Sequence, residues 1–144
     1  MYLLDTDVLS NLLLPVPSTV LITKLASVPS SEQFTSSITL GELVYGAHRL
    51  KERTPALLKR LDDRLPPNLP VLSFDASAAR HYGEVRAELE RRGTPIGDAD
   101  LRIASIALTN DLTVVTGNVR HFARVPGLRV ENWLQSPPSV PPGR

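Results

Sequence analysis

Short β-prone runs, each followed by a helical stretch, recur along the whole chain, and that alternation limits the fold more than any other feature of it. Tyr2 to Leu4 (YLL) reads as a fully buried strand that ends on Asp5. Phe34 to Ile38 and Val71 to Phe74 read as further strands, Leu112 to Thr116 (LTVVT) as the clearest one, and Leu128 to Val130 as an edge strand. Between them, Asp7 is an expected N-cap for a helix through Leu13, stopped by Pro15 and Pro17. Helices are expected over Val20 to Ser27, Thr39 to Lys51 and Pro55 to Leu65. In the second of these Leu40, Leu43, Val44 and Ala47 recur at helical spacing. Asp75 is expected to cap a long helix from Ala76 to Arg92 with Gly93 at C′, and Asp98 or Ala99 to open one reaching Asn110. The expected architecture is α/β, a three-layer sandwich with a central, mostly parallel sheet flanked by helices.

With 144 residues, a single domain over 1–134 is expected, followed by a Pro-rich flexible tail over 135–144 that carries no core. Absence of cysteine excludes disulfide frameworks, zinc fingers, iron–sulfur clusters and thiol nucleophiles. A net charge of +1 and 5% aromatic residues argue against bulk-charge coating of nucleic acid and against a stacking platform for single strands. Asp5 and Asp7 interrupt the apolar N-terminus where a signal peptide needs an unbroken run, and no stretch reaches transmembrane length, so a cytoplasmic protein is expected.

Ligands of open parallel sheets bind beyond the carboxyl ends of the strands. Asp5 follows the first strand, and Glu42 falls in the first turn of the helix after the second. Asp98 and Asp100 open the helix after the Gly93–Gly97 loop, and Asn118 follows LTVVT by two residues. Carboxylates gathered this way repel one another unless a cation sits among them. With neither Cys nor His in the set, the donors are all oxygen, which suits Mg2+ or Mn2+ rather than zinc. Capping offers a competing account of two of these acids and of Asp7. Asp7 and Asp98 suit N-cap positions, and Thr39-x-x-Glu42 fits a capping box. Asp5, behind a buried strand, and Asp100, on an apolar helix start, are harder to explain structurally. His48, His81 and His121 are widely spaced and read as surface or edge residues. There is no GxGxxG, P-loop or HExxH motif.

Four segments carry a resemblance: MYLLDTDVLS, SSITLGELVYGA, FDASAARHYGEVRAELERRGTPIGDADLRIASIAL and TVVTGNVRHFARVPGLRVENW. In order and spacing, over most of residues 1–134, they resemble the PIN-domain ribonucleases, specifically the VapC-type toxins of toxin–antitoxin pairs. The resemblance implies a PIN-like fold and an endoribonuclease that uses Mg2+ or Mn2+ to hydrolyse RNA to 5′-phosphate and 3′-hydroxyl ends. It implies metal-binding catalytic acids at Asp5, Glu42 and Asp100. Asn118 stands where many relatives carry another acid, and Asp98, Thr6 and Thr116, with Ser37 or Thr39, would support the metal site. Asp7 departs from the pattern, since such toxins commonly carry Asn there; for Asp7 and Asp98 capping is the preferred reading. Arg80, Arg86, Arg91, Arg92, Arg102, Arg120 and Arg124 are candidate RNA-gripping cations, with Arg92, Arg102 and Arg120 foremost. A cognate antitoxin, a homodimer and a hetero-oligomer of the two proteins are also implied.

Two rivals compete with this reading. YLLDTDVL, VVTG and GDAD resemble parts of a haloacid-dehalogenase-like phosphatase, although Asp98 and Asp100 precede Thr116 where that family places its acidic motif later, and its lysine is missing. A non-catalytic PIN-like RNA-binding module is the other, against which the presence of the acids speaks.

Overall fold

The computed structural model describes residues 1–136, so the tail expected over 135–144 lies almost wholly outside the described residues. The chain runs β1 (Tyr2–Leu4), α1 (Thr6–Leu12), α2 (Thr19–Ser27), β2 (Gln33–Ser36), α3 (Ser37–Arg49) and α4 (Thr54–Arg64). It continues through β3 (Val71–Leu72), α5 (Ala76–Arg91), α6 (Asp98–Thr109), β4 (Thr113–Val115), α7 (Val119–Phe122) and β5 (Val130–Glu131). The five strands form one sheet in the order β3-β2-β1-β4-β5, and every pairing is parallel. The α/β sandwich expected from the alternation of elements is the observed architecture.

Both faces of the sheet are covered, and the strands show why so few residues suffice. Leu3 and Val114 point into a core shared with α5, α6 and α7, built from Leu89, Ile103, Ile106 and Phe122. Their neighbours Leu4 and Val115 point the other way, into a core of Val8, Leu9, Leu21, Leu43 and Leu61 from α1 to α4. All four strand residues are fully buried. Successive side chains on a strand face opposite sides, so a three-residue strand anchors two helical layers at once. Each such buried aliphatic side chain contributes roughly 1.5–3 kcal/mol.

Local chemistry sets the element ends and corrects several expected boundaries. β2 stops at Ser36, short of the expected Ile38, because the Ser36 hydroxyl accepts from the Thr39 amide at 3.0 Å and starts α3. Asp75 caps α5 as expected, accepting from Ala78 N at 2.8 Å. Gly93, at φ 68, closes α5 in a Schellman arrangement, with Thr94 N bonded to Leu89 O and Gly93 N to Glu90 O. The edge strand is Val130–Glu131 rather than Leu128–Val130, since Gly127 at φ 76 and a Leu128 N to Val125 O bond hold a turn before it. The short helix α7 was not expected.

No described helix is long and apolar enough to cross a membrane. Strand order reverses between β1 and β4: β2 and β3 lie to one side of β1, β4 and β5 to the other. Such a switch point opens a crevice at the carboxyl ends of the strands.

Candidate active site

Register brings the first two site residues together. Leu4 pairs with Val115, so the residues that follow them, Asp5 and Thr116, emerge side by side. Asp5 N donates to Val115 O at 3.0 Å, and the Thr116 hydroxyl donates to Asp5 Oδ2 at 2.8 Å. Asp5 is only 4% exposed, and its other oxygen, Oδ1, is buried without a hydrogen-bond partner. It stands at the N-cap position of α1 yet makes no capping bond. Burial pushes its carboxyl up to about 7; the charge of Asp7, and less that of Asp100, adds to the rise, against the Thr6 backbone amide and the Thr116 hydroxyl.

Around Asp5 lies an open cleft of about 480 Å³, lined by Thr6, Asp7, Ser10, Asn11, Leu14, Glu42, Asp100 and Asn118. Thr6 opens α1, and its hydroxyl donates to Glu42 Oε1 at 2.9 Å. Asp100, on the first turn of α6, has a side chain 25% exposed and accepts from Asn118 Nδ2 at 3.3 Å. The structure therefore gathers Asp5, Glu42, Asp100, Asn118, Thr6 and Thr116, contributed by four segments far apart in sequence.

Three expectations about the acids need correction. Glu42 is not the returning partner of a capping box: Ser36 caps α3, Thr39 supplies the capped amide, and Glu42 is carried a turn further, toward the cleft. Asp7 is no N-cap either, because α1 begins at Thr6; its Oδ2 instead accepts from Gly117 N at 2.8 Å, tying α1 to the loop after β4. Asp98 does not cap α6, whose N-cap is Gly97. Its carboxylate takes the Tyr82 hydroxyl and Arg102 Nε, the latter at 2.9 Å, and these bonds hold its pKa below the ordinary value, the Tyr82 bond most. It does not line the cleft.

The arginines divide by their partners. Arg102 is bound to Asp98 and lies over the Phe74 and Tyr82 rings at 5.5 and 5.7 Å. Arg91 and Arg92 both pair with Glu88 at 2.7 Å, Arg86 pairs with Glu90 at 3.1 Å, and Arg124 donates to Pro95 O. Arg80 and Arg120 are exposed, with no ion pair among the described residues.

His121 was missed, and so was the role of Asp7. His121 Nδ1 lies 2.8 Å from Asn118 Nδ2 and 3.6 Å from Asp100 Oδ2. Its signal was the i, i+3 spacing from Asn118, which places both on one helix face. That spacing meant nothing until α7 was seen to be a helix. Gly117 carries a second constraint: a Cβ there would stand 2.8 Å from Asp7 Oδ2 and 3.0 Å from Leu134 Cδ1.

A hard divalent cation suits this donor set. Asp5 offers a buried, unpartnered oxygen raised in energy by two neighbouring carboxylates, and Glu42 and Asp100 add more oxygen. No three acids or histidines among the described residues form a ready-made cage. Such an ion would complete its coordination with water and substrate oxygens, as magnesium commonly does.

Residues 2–128 match the family model of the PIN domain. This chain belongs to the PIN-domain family. Within it, the PIN domain is of the VapC type. It is 46% identical over 106 residues to the tRNA(fMet)-specific endonuclease VapC of Salmonella typhimurium, spanning 72% of this chain and 77% of that protein. Ribonuclease VapC2 of Haemophilus influenzae is 34% identical over 135 residues, 92% of this chain and 98% of its own. Among solved structures, VapBC2 from Rickettsia felis, bound to a promoter DNA fragment, superposes with a TM-score of 0.82 at 34% identity, covering 92% of this chain and 98% of that one. FitAcB from Neisseria gonorrhoeae gives 0.84 at 31% identity, with the same coverage. Membership of this family displaces the phosphatase reading.

Proposed function

We propose that this PIN domain is a divalent-metal-dependent endoribonuclease, the toxin of a toxin–antitoxin pair, with Asp5, Asp100 and Glu42 holding Mg2+ or Mn2+. The observation that carries the metal site is the buried Asp5 oxygen with no hydrogen-bond partner among the described residues, in an acid that lines the same cleft as Asp7, Glu42 and Asp100. The VapC names of its relatives carry the activity.

A divalent cation bound there supplies a positive centre that acidifies water and offsets charge on a phosphodiester. Asp5 would be the fixed ligand, since Thr116 holds one of its oxygens and the other has no hydrogen-bond partner among the described residues. Asp100 faces it from α6, oriented by the Asn118 amide. Glu42, steadied by Thr6, stands at the open side and is the carboxylate placed to take a proton from the attacking water. Attack of that water on phosphorus with breakage of the P–O3′ bond would leave the phosphate on the 5′ side, its proton passing through Glu42 and the departing O3′ taking one up as a 3′-hydroxyl. Of the candidate arginines, Arg120 and Arg80 are exposed without an ion pair among the described residues and are the ones left to meet RNA phosphates; Arg92 and Arg102 would first have to leave their carboxylate partners. Such a toxin works in the cytoplasm, dimerises, and is silenced in a hetero-oligomer with its antitoxin. The solved relatives that are VapBC complexes support that last point.

The test is cleavage of a mixed RNA pool, with tRNA included, by the purified protein in Mg2+ or Mn2+, beside EDTA, Asp5→Asn, Asp100→Asn and Asp7→Asn. Cutting that EDTA, Asp5→Asn and Asp100→Asn abolish, and Asp7→Asn retains, is the expected result. Intact RNA under all metal conditions overturns the reading.

A further inference from the structure

We infer that His121 is a positioning residue of this site, whose imidazole fixes the Asn118 amide against Asp100; the inference rests on the ribonuclease reading above. Asn118 occupies the N-cap position of α7 but forms no capping bond. A residue type well suited to capping has given that up, and its side chain turns to Asp100 Oδ2 at 3.3 Å and His121 Nδ1 at 2.8 Å. The reverse amide orientation would set Oδ1 against a carboxylate, so Nδ2 must face Asp100. One amide hydrogen then goes to Asp100 and the other to His121 Nδ1, which accepts it and carries its own proton on Nε2.

The direct His121–Asp100 separation, 3.6 Å, is too long for a hydrogen bond, so the imidazole reaches Asp100 through Asn118. The turn that carries both is held firmly. His121 N donates to Asn118 O, Asn118 N donates to Thr116 Oγ1 at 2.9 Å, and Phe122 next door is fully buried. With both hydrogens engaged, Asn118 presents only its carbonyl oxygen to the cleft it lines. His121 thereby decides that this position offers the cleft a neutral acceptor rather than a donor that would compete for the acids.

Three variants separate this role from packing. His121→Phe keeps the ring and removes the acceptor; His121→Asn restores an acceptor oxygen near the place of Nδ1; Asn118→Ala removes the group being positioned. On an RNA that the wild type cuts, His121→Phe is expected to lower kcat about tenfold or more with KM within about twofold, and His121→Asn to recover most of the rate. Because His121 acts through Asn118, the double variant is expected to be no slower than Asn118→Ala alone, within about twofold. In the metal-free protein, long-range 1H–15N spectra are expected to show His121 protonated at Nε2, with the Asn118 amide protons shifted in His121→Phe. Additive losses in the double variant, an Asn variant as slow as the Phe variant, or a ring protonated at Nδ1 overturn the inference. An unfolded His121→Phe leaves the spectra of the wild type and the Asn variant to decide it. If the wild type cuts no RNA, the ribonuclease reading fails; if it cuts and His121→Phe cuts as fast, only this inference fails.

Discussion

The Thr116 hydroxyl donates to Asp5 Oδ2 at 2.8 Å across the junction of β4 and β1, and it leaves Asp5 Oδ1 buried without a hydrogen-bond partner among the described residues. One hydroxyl thus fixes the carboxylate in rotation while half of it stays unsatisfied. A buried charged oxygen without a partner is costly for a fold to keep. In a VapC-type PIN domain that cost has a ready explanation, since a cation offsets it when bound.

On the proposed function, proton and cation compete for Asp5. Burial raises its carboxyl from 3.8 to about 7, so in the metal-free protein it keeps a proton that the unfolded chain gives up near pH 4. Asp5 therefore favours the folded state below about pH 4, and that contribution is lost as pH rises through about 7. Stability without metal should fall between those values, and Asp5→Asn should flatten the fall; urea denaturation from pH 5 to 8 in EDTA checks it. Metal affinity should move the opposite way. The apparent Kd for Mn2+ should tighten about tenfold per pH unit below 7 and level off above, as calorimetric titration would show.

Asp7 raises Asp5 by its charge and also ties down the Gly117 loop. Asparagine at this position keeps an acceptor for Gly117 N while removing the charge. Asp7→Asn should therefore shift the pH midpoint of Mn2+ binding downward by a measurable fraction of a unit. The melting temperature should stay within about 3 °C of the wild type, the span of roughly 1 kcal/mol for a chain of 144 residues. A midpoint that does not move would separate Asp7 from the electrostatics of the site.

Gly117 has no room for a side chain. A methyl group would press on Asp7 Oδ2 at 2.8 Å and Leu134 Cδ1 at 3.0 Å. Gly117→Ala should destabilise the protein by roughly 1–3 kcal/mol and slow cleavage, because the loop that bears Asn118 has to shift. Thermal melting beside kcat measurement tests both effects. A melting point and rate equal to wild type would mean that Asp7 swings aside freely.

Thr116→Val preserves shape and removes the hydroxyl's bond to Asp5, its longer contacts to Asp7 at 3.4 and 3.5 Å, and the bond it accepts from Asn118 N. It should cost about 1–3 kcal/mol, since two polar groups lose their partner. Losing a bond that favours the ionised carboxylate should also move the pH midpoint of metal binding upward. Mn2+ titration across pH reads this shift independently of cleavage.

The strand–helix alternation, the parallel sheet and the acids at strand ends were legible because each depends on neighbours in the chain. YLL followed by Asp5 marks a buried strand and its exit, and Asp75 and Gly93 mark the two ends of α5 by local hydrogen bonding. What misled was local chemistry with a second use. Asp7, Asp98 and Glu42 all match capping patterns, yet their carboxylates bind Gly117 N, Arg102 with Tyr82, and Thr6 respectively. Ser36 and Gly97 stand at the N-caps that Glu42 and Asp98 were expected to serve.

From the sequence alone come the fold class, the order of its elements and the acids that stand near the carboxyl ends of the strands. Spacing along one chain carries that much, because helices and strands have fixed periods. Tertiary structure alone decides that Thr116 faces Asp5, that Asp7 latches Gly117 and that His121 meets Asn118 beside Asp100. The first two contacts span about a hundred positions and exist only because β1 and β4 pair in parallel with Leu4 opposite Val115. The third needs α7, a four-residue helix too short to show a period of its own.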